Sequence, residues 1–345
     1  MKVLQAMGGA EYGGAEAFFI RLVAGLHRAG LEQRAVIGRN AKRAEILRSE
    51  GLKTVELSFG GIFDLRTRPA LKNQIKTFGP DIVLSWMSRA ARLCPRGNFI
   101  HVGRLGGYYD PKYYRSCDHL IGNTEDIADY LRKEGWPADR VHYLPNFVAD
   151  RRAEPTDRGE LFTPPGAPLL LAMGRLHDDK AFDVLLEALP RIPNAYLWLA
   201  GEGPLRGQLE KQAERLAVKP RVRFLGWRED TEALLAACDV FVCPSRIEPL
   251  GNVVIEAWAQ SVPVVAADSL GPGKLVEHMK TGMLTPVDDA RSLAQTIRYV
   301  LAEDGVRENI AEEGRTAYEE HFTEASVIGQ YLDFFQRIIA LKGAM

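Results

Sequence analysis

The stretch DVFVCPSRIEPLGNVVIEAWAQS, from Asp239 to Ser261, contains in order the patterns of a strand, a turn and a helix. Its VFVC segment is a short continuous apolar run, which is typical of strands that are buried on both faces of a parallel sheet. A polar turn follows, and apolar residues then recur at helical spacing. The stretch therefore predicts one strand–turn–helix unit whose helix begins near Gly251 and Asn252.

The same unit recurs along the chain. KVLQAM (Lys2–Met7) and PLLLAMG (Pro168–Gly174) are strand patterns, and each is followed by a polar or glycine-rich loop and a helical pattern. Further strand patterns are DIVLSW, HLIGNT, AYLWLAGEG, VRFLG and VPVVAAD. Repeated units of this kind favour a parallel sheet with helices on both faces, and 345 residues exceed the usual size of one core. We therefore predict an α/β protein of two doubly wound, Rossmann-like domains.

The boundary between the domains is visible in composition. The segment from Asn146 to Pro168 is polar and rich in proline and glycine, as linkers are. The last helical pattern places Tyr331, Phe334, Phe335 and Ile338 on one face, and we expect that face to pack on the first domain. The predicted domains are therefore residues 1–150 with 326–345, and residues 151–325.

Composition excludes several classes of protein. Apolar residues make up 46% of the chain and charged residues 26%, which is typical of a globular protein. The four cysteines form no C-x-x-C pair, and the seven histidines show no H-x-x-x-H spacing, so we expect free thiols and no metal site. MKVLQAMGG breaks at Gly8 before a signal-peptide core, and no run reaches the roughly 18 apolar residues of a membrane helix. We expect a cytoplasmic protein whose membrane contact, if present, is peripheral.

Charge is distributed unevenly. Residues 1–150 hold 22 basic and 16 acidic side chains, and residues 20–115 alone hold 18 basic against 7 acidic. Two interpretations are open: a solvated basic face, or contact with an anionic partner such as a lipid surface or a phosphorylated glycan. No aromatic–basic signature of RNA binding accompanies the charge, so no nucleic-acid partner is expected.

Two acids bracket the turn and helix of the opening stretch. Ligands of parallel α/β sheets collect where strands end, because backbone amides at helix starts are unpaired there. Gly251 and Asn252 would offer such amides to a phosphate, while Glu248 and Glu256 would accept hydrogen bonds from hydroxyls. A nucleotide sugar combines both groups. Two alternatives stay open: a glycosidase-type pair of acids, or Glu256 as a satisfied core acid with Glu248 on the surface.

Other strand ends carry related chemistry. GRLHDDK places Arg175 and Lys180 in a turn, where two cations suit a diphosphate. GEGP places Gly201 where the backbone can approach a flat base closely. GGAEYGGAE, which contains Gly13 and Gly14, is a glycine-rich loop without the G-x-G-x-x-G spacing of dinucleotide binders.

Together, GGAE, GRLHDDK, GEGPLRGQLE, ACDVFVCPSRIEPLGNVVIEAWAQSVPVVA and GMLTPVDD resemble the GT4 family of retaining glycosyltransferases with the GT-B fold. The middle segment, GGYYDPKYYRSCDHLIGNTEDIADYL, resembles bacterial members that build lipopolysaccharide or other surface glycans. The resemblance implies an interdomain cleft and transfer of a hexose to a glycan or lipid-linked acceptor. The favoured donor is a UDP-sugar, and the second choice is GDP-mannose. A nucleotide-sugar epimerase, or a transferase acting on a small soluble acceptor, is the alternative.

The resemblance also implies roles for individual residues. Arg175 and Lys180 would bind the diphosphate, and Glu256 the ribose. Glu248 would bind the transferred sugar beside the backbone amides of Leu250, Gly251 and Asn252. Lys180 is followed by Ala181 where many relatives have glycine, and alanine is compatible with a helix there.

Four further residues belong to the implied donor site. Gly13 and Gly14 would approach the phosphate from the N-terminal domain. His101, in NFIHVGR, would contact the donor sugar near the reacting centre, or alternatively be a packed histidine at a strand end. The base would lie between GEGP and Trp227. No Asp-x-Asp metal motif is present, so we expect the nucleotide sugar as co-substrate and no metal or other cofactor.

The acceptor is expected on the N-terminal domain. Arg89, Arg104 and Lys112 would meet anionic groups of a lipid-linked glycan, or alternatively belong to a solvated face. A lipid-linked acceptor would place the enzyme at the cytoplasmic face of the inner membrane.

Overall fold

The computed structural model of the chain describes residues 1–11, 13–60, 64–248 and 250–343. Its strands are β1 (Lys2–Met7), β2 (Glu32–Gly38), β3 (Lys53–Leu57), β4 (Ile82–Trp86), β5 (Ile100–Leu105), β6 (His119–Gly122), β7 (Val141–Tyr143), β8 (Leu169–Met173), β9 (Tyr196–Ala200), β10 (Val222–Gly226), β11 (Val240–Cys243), β12 (Val264–Ala267) and β13 (Met283–Thr285). Its α-helices are α1 (Gly14–Arg28), α2 (Ala41–Ser49), α3 (Thr67–Phe78), α4 (Met87–Leu93), α5 (Glu125–Lys133), α6 (Phe182–Ala188), α7 (Arg206–Arg215), α8 (Thr231–Ala237), α9 (Asn252–Ala259), α10 (Pro272–Leu275), α11 (Ala290–Ala302), α12 (Asp304–His321) and α13 (Glu324–Gly343).

The chain folds into two compact units. Unit 1 is Met1–Phe147 with Glu324–Met345, and unit 2 is Val148–Thr323. The boundaries expected from the sequence, after residues 150 and 325, fall three and two residues later than these divisions. Residues 344–345 of the expected C-terminal segment lie outside the described residues. Among the described residues, no helix combines the length and apolar character needed to span a bilayer.

The sheet of unit 1 is parallel and runs β3-β2-β1-β4-β5-β6-β7. The chain thus adds β2 and β3 on one side of β1 and then returns to add β4 to β7 on the other side, which is the doubly wound arrangement. One apolar cluster packs Phe19 of α1 against Trp86, and a second packs Leu71 of α3 and Ala90 of α4 against Val83. Because both faces are covered, the strands are continuous apolar runs, as the sequence predicts.

The C-terminal helix α13 belongs to unit 1. Its buried side chains are Val327, Ile328, Tyr331, Phe334, Phe335 and Ile338. They lie in the same apolar cluster as α1 and β4. Burying a large apolar side chain contributes about 1.5–3 kcal/mol, so this helix supplies a substantial share of the stability of unit 1.

The sheet of unit 2 is also parallel and runs β10-β9-β8-β11-β12-β13. One cluster packs α6 and α7 on the sheet, and another packs α8 and α9 on it. Helices α6 and α9, which leave β8 and β11, therefore lie on opposite faces of the sheet. Two doubly wound parallel sheets confirm the predicted fold class.

Candidate active site

The candidate site of unit 2 lies at the carboxyl ends of β8 and β11. These adjacent strands are where the strand order reverses, since α6 and α9 depart to opposite faces. Such a switch point leaves a crevice beyond the strand ends, where ligands of α/β sheets bind. The turn after β8 carries Arg175 and Lys180, and the turn after β11 carries Glu248. The topology therefore brings together two turns that the sequence separates.

Lys180 and Glu248 form an ion pair between these turns. The Lys180 side chain is 20% exposed and that of Glu248 12%, so the pair is largely enclosed. Lys180 closes a 3₁₀ turn, Asp178–Lys180. The amide of Ile247 donates to the Asp179 carbonyl at 3.1 Å, which joins the two turns through their backbones as well.

Arg246 is a second link between the turns, and no sequence motif indicated it. Its guanidinium donates to both carboxylate oxygens of Asp183, with Nη1–Oδ1 at 3.0 Å and Nη2–Oδ2 at 2.7 Å. It also donates to the Asp178 carbonyl at 2.9 Å and to Asp288 at 2.5 Å. The pKa of Arg246 is raised, and its hydrogen bonding to Asp183 is the largest cause. No spacing rule connects residues so far apart in sequence, so only the folded chain shows this clamp.

Arg175 differs from both of these cations. It is exposed, and among the described residues it has no hydrogen-bond or ion-pair partner. The preceding residue, Gly174, lies against Lys180, since a Cβ on Gly174 would be 3.3 Å from Lys180 Cε. Lys180 is neutralised by Glu248, so Arg175 contributes the uncompensated positive charge of this site.

The loop that carries Glu248 is held tightly. The amide of Gly271 donates to the Glu248 carbonyl at 2.8 Å, and a Cβ on Gly271 would lie 2.2 Å from that oxygen. Gly251 precedes α9 with φ of 78°, a conformation that favours glycine. Leu250 is buried, and Asn252 is the first residue of the helix. The start of α9, whose first amides have no intrahelical acceptors, therefore lies directly beyond Glu248.

Glu256 lies one turn into α9 and is only partly buried. The alternative of Glu256 as a core acid and Glu248 as a surface acid is therefore wrong, because the Glu248 side chain is only 12% exposed. An apolar neighbourhood in sequence does not bury every residue of a short helix, because one face of the helix is left uncovered.

The glycines at the ends of β8 and β9 pack against each other. Gly201 has φ of 141°, and a Cβ there would lie 1.9 Å from the Gly174 carbonyl oxygen. Close approach of protein backbone therefore accounts for glycine at position 201, and contact of Gly201 with a base stays a prediction. Trp227, after β10, is 73% exposed and leaves its ring open for stacking.

The backbone conformation of Ala181 differs from the expected one. It has φ of 51°, in the left-handed region, where the sequence analysis expected a helical conformation. This conformation costs a non-glycine residue about 1–2 kcal/mol. Since Ala181 is also fully buried, its methyl group offsets part of that cost through packing.

The glycine-rich loop of unit 1 is organised by Glu16. Glu16 Oε1 accepts from the Ala10 amide at 2.7 Å, and a Cβ on Gly13 would lie 2.3 Å from Glu16 Oε2. The buried Arg43 donates to the Ala10 carbonyl at 2.8 Å. Gly14 opens α1 and has no atom within 4 Å of its added Cβ. Contact of Gly13 and Gly14 with a donor phosphate stays a prediction.

His101 does not lie at a strand's carboxyl end. It is the second residue of β5 and is 3% exposed. Its Nε2 is 2.6 Å from Ser85 Oγ, and its Nδ1 is 3.0 Å from the Ser116 carbonyl. Burial lowers the pKa of His101, which favours the neutral ring. Both ring nitrogens of His101 are therefore bonded within the core, and its contact with the donor sugar stays a prediction.

The three expected acceptor cations have different environments. Arg104 is buried, with Nε 2.8 Å from Tyr331 Oη and Cζ 4.5 Å from the centroid of Trp86. Lys112 is paired with Asp110 at 2.5 Å. Arg89 is exposed and donates to the Gly8 carbonyl at 3.0 Å. Arg104 is therefore a structural residue of the unit 1 core.

Solved structures define the class of protein. The chain is similar to Anabaena Alr3699/HepE in complex with UDP, with a TM-score of 0.85 at 22% identity over 98% of this chain and 100% of that one. It is also similar to WaaG, a glycosyltransferase involved in lipopolysaccharide biosynthesis, with a TM-score of 0.72 at 19% identity over 97% and 99% of the two chains. This chain therefore has the GT-B fold.

The family follows from the sequence comparisons. Residues 12–152 match the model described as Glycosyltransferase Family 4, and residues 153–317 match Glycosyl transferases group 1. Two lipopolysaccharide core biosynthesis glycosyltransferases of Rhizobium meliloti (strain 1021) are similar along their whole length. LpsE is 37% identical over 93% of this chain and 95% of its own, and LpsD is 35% identical over 99% and 100%. The chain belongs to the GT4-type glycosyltransferases and is an enzyme of glycosyl transfer. This membership favours transfer over the glycosidase and epimerase alternatives.

Proposed function

We propose that the enzyme transfers a hexose from a nucleoside diphosphate sugar to a hydroxyl of a glycan or lipid-linked acceptor, with retention at the anomeric carbon. The observation that supports this proposal best is the meeting of Lys180 and Glu248 beside the exposed Arg175 at the switch point of unit 2. Lipopolysaccharide or surface-polysaccharide assembly is the proposed setting, because both Rhizobium relatives are named for lipopolysaccharide core biosynthesis.

The diphosphate is the leaving group, and its binding is the electrostatic part of the proposal. An ammonium has three donors, so Lys180 can keep Glu248 and still donate to a phosphate oxygen. Arg175 adds forked donors that match phosphate geometry. Negative charge grows on the diphosphate as the anomeric C–O bond breaks, so both cations stabilise the transition state more than the ground state.

The carboxylates and the start of α9 complete the donor site. Glu248 would accept hydrogen bonds from hydroxyls of the transferred sugar, and Glu256, one turn further along α9, from the ribose. The amides of Leu250, Gly251 and Asn252 would face the phosphates and the sugar. A site with this donor set needs no divalent metal to bind a diphosphate, so we expect EDTA to leave the transfer rate unchanged.

A UDP-sugar is the favoured donor. Alr3699/HepE, which shares the fold, has been solved with UDP-glucose. The second choice is GDP-mannose, because a GDP-mannose-dependent mannosyltransferase of Mycobacterium tuberculosis (strain ATCC 25618 / H37Rv) is 36% identical over 68% of each chain. The exposed ring of Trp227 would stack on the base.

Unit 1 is the proposed acceptor-binding domain, and unit 2 the proposed donor-binding domain. The proposed acceptor is a glycan or a lipid-linked molecule, and an anionic acceptor is favoured. A lipid-linked acceptor is held at the cytoplasmic face of the inner membrane, so the enzyme would work there as a peripheral protein.

Nucleotide titration tests the donor site. We expect UDP, and less strongly GDP, to raise the melting temperature and to give a calorimetric signal, whereas ADP gives none. Arg175→Ala should weaken UDP binding about 10- to 100-fold, because hydrogen bonds to charged groups contribute about 1.5–3 kcal/mol. Arg215→Ala, which removes an exposed arginine of α7, is the matched control. Absence of binding with all three nucleotides would contradict the proposal.

Transfer itself is tested with UDP-glucose, UDP-galactose and GDP-mannose against purified lipopolysaccharide core fragments. The anomeric configuration of the product, measured by NMR, decides between retention and inversion. Incubation with donor alone addresses the epimerase alternative, because an epimerised nucleotide sugar would appear without acceptor.

A further inference from the structure

One segment of unit 1 carries many exposed cations and few acids, the nearest in sequence being Asp64 and Asp81. Residues 65–100 contain seven basic side chains and a single acid, Asp81. Six of the seven are exposed and have no side-chain hydrogen bond or ion pair among the described residues. These six, which we call the basic face, are Arg66, Arg68, Lys72, Lys76, Arg92 and Arg96.

The basic face is carried by α3, by α4 and by two residues that flank them, Arg66 and Arg96. Leu71 and Ile75 of α3 and Leu93 of α4 belong to one apolar cluster on the sheet. Residues 68, 72 and 76 are spaced by four, so Arg68, Lys72 and Lys76 form one stripe on the side of α3 that is turned away from this cluster. The cations of this stripe therefore point outward together.

Some cations elsewhere in unit 1 are paired with acids. Arg28 pairs with Glu50 at 2.9 Å and with Glu324 at 2.5 Å, and Arg48 pairs with Glu56 at 3.2 Å. Helix α3, in contrast, contains no acid at all. Unpaired like charges along one helix repel one another, so the basic face carries a cost that an external anion would remove.

An apolar side chain lies at the end of this face. Leu65, two residues before the start of α3, is 84% exposed. Its position is fixed by Asp64, which accepts from the amides of Arg66 at 3.1 Å, Thr67 at 3.0 Å and Gly60 at 2.6 Å. A protruding leucine beside outward-pointing cations suits a flat surface that is anionic outside and apolar beneath.

We propose that the basic face and Leu65 dock unit 1 on a bilayer containing anionic phospholipids. This inference deepens the membrane contact of the proposed function by naming the surface that makes it. A soluble phosphate would require donors that converge on one point, whereas these cations are spread over α3, α4 and the residues that flank them. Each contributes a small, additive and salt-sensitive attraction to lipid phosphates.

Vesicle co-sedimentation of the full chain is the test. Binding should occur with phosphatidylcholine vesicles containing 30 mol% phosphatidylglycerol, should be absent with pure phosphatidylcholine, and should fall as salt rises. The variant Arg68→Gln/Lys72→Gln/Lys76→Gln should lose about a hundredfold in partition coefficient, at about fivefold per charge. Leu65→Ser should weaken binding by a further several-fold without changing its salt dependence.

The matched control removes the same charge from unit 2. Lys211→Gln/Arg215→Gln/Lys219→Gln changes three exposed cations of α7 and the turn after it, and should bind vesicles like the wild type. Equal loss in both triple variants would overturn the proposal, as would wild-type binding to a soluble polyanion but not to vesicles. UDP melting shifts on the same samples separate the two proposals. Vesicle binding without any nucleotide shift contradicts the donor site alone, and a nucleotide shift without vesicle binding contradicts the docking face alone.

Discussion

The ion pair of Lys180 and Glu248 allows the candidate site to be tested through stability and binding together. Lys180→Met removes the ammonium and leaves the Glu248 carboxylate without its cation. The Glu248 side chain is only 12% exposed, so water can replace that cation only in part. Losing one partner of a fully buried pair costs about 3–5 kcal/mol, whereas an exposed pair contributes about 0–1 kcal/mol. At 20% and 12% exposure the pair lies between these limits, so we expect unit 2 to lose about 2 kcal/mol.

A double-mutant cycle isolates the interaction. Glu248→Gln removes the other charge, and the double variant removes both, so we expect a coupling energy of about 1–2 kcal/mol. Urea denaturation is followed by the fluorescence of Trp198 and Trp258, which are buried in unit 2. The control cycle uses Lys219→Met and Glu214→Gln, whose side chains are 54% and 53% exposed, and should show no measurable coupling. Equal coupling in both cycles would refute the reasoning.

The same variants separate binding roles. If Lys180 serves the diphosphate, Lys180→Met should weaken UDP binding at least tenfold. If Glu248 serves the sugar, Glu248→Gln should keep UDP affinity within a few-fold and lower the turnover of UDP-sugar. Loss of UDP affinity in both variants to the same degree would show that the pair acts as a single structural element.

Acidification should destabilise unit 1 through His142, because burial, followed by the neighbouring His119, lowers the pKa of His142 to about 4. The unfolded chain, with its histidine pKa near 6.5, takes up the proton first, so the stability present above about pH 6.5 is lost toward pH 4. In urea titrations His142→Gln should remove about 1–2 kcal/mol of this dependence, allowing for solvent screening, and an unchanged slope would contradict the assignment. Gly201→Ala should sharply lower the urea midpoint and soluble yield of unit 2, because its Cβ would lie 1.9 Å from a carbonyl oxygen of the neighbouring turn. Gly207→Ala, which meets no atom within 4 Å, is its control, and equal midpoints would count against the packing argument. Arg246→Gln should raise the donor KM at least fivefold, because it loosens the clamp between the two turns, and an unchanged KM would show that the clamp does not position the site.

The parallel sheets and the strand ends that carry the candidate site follow from patterns that the sequence contains. Continuous apolar runs of four to six residues are buried on both faces, and this is the reason they signal parallel strands. Arg175, Lys180 and Glu248 were found because each lies just after such a run, and strand ends share one edge of a sheet. Arg246 and Glu16 were missed because their partners, Asp183 and the Ala10 amide, are set by three-dimensional proximity and not by a spacing rule.

Two features that local sequence patterns did not show concern burial and backbone conformation. His101 follows Ile100 in a strand, and its depth in the sheet depends on where the strand begins, which the motif does not show. Ala181 adopts a left-handed conformation that only the junction between the 3₁₀ turn and α6 imposes. Both features have the same explanation, since a local pattern specifies residue types but not their depth or dihedral angles.

The amino-acid sequence by itself determined the α/β class, two Rossmann-like domains and the glycosyltransferase family, because apolar periodicity and motif order are local properties of the chain. Tertiary structure alone decided which charges are neutralised, with Lys180 paired to Glu248 and Arg175 exposed, and it placed His101 in the core. The physical reason is that an electrostatic interaction depends on distance and solvent exposure, and both exist only once the strands are assembled into a sheet.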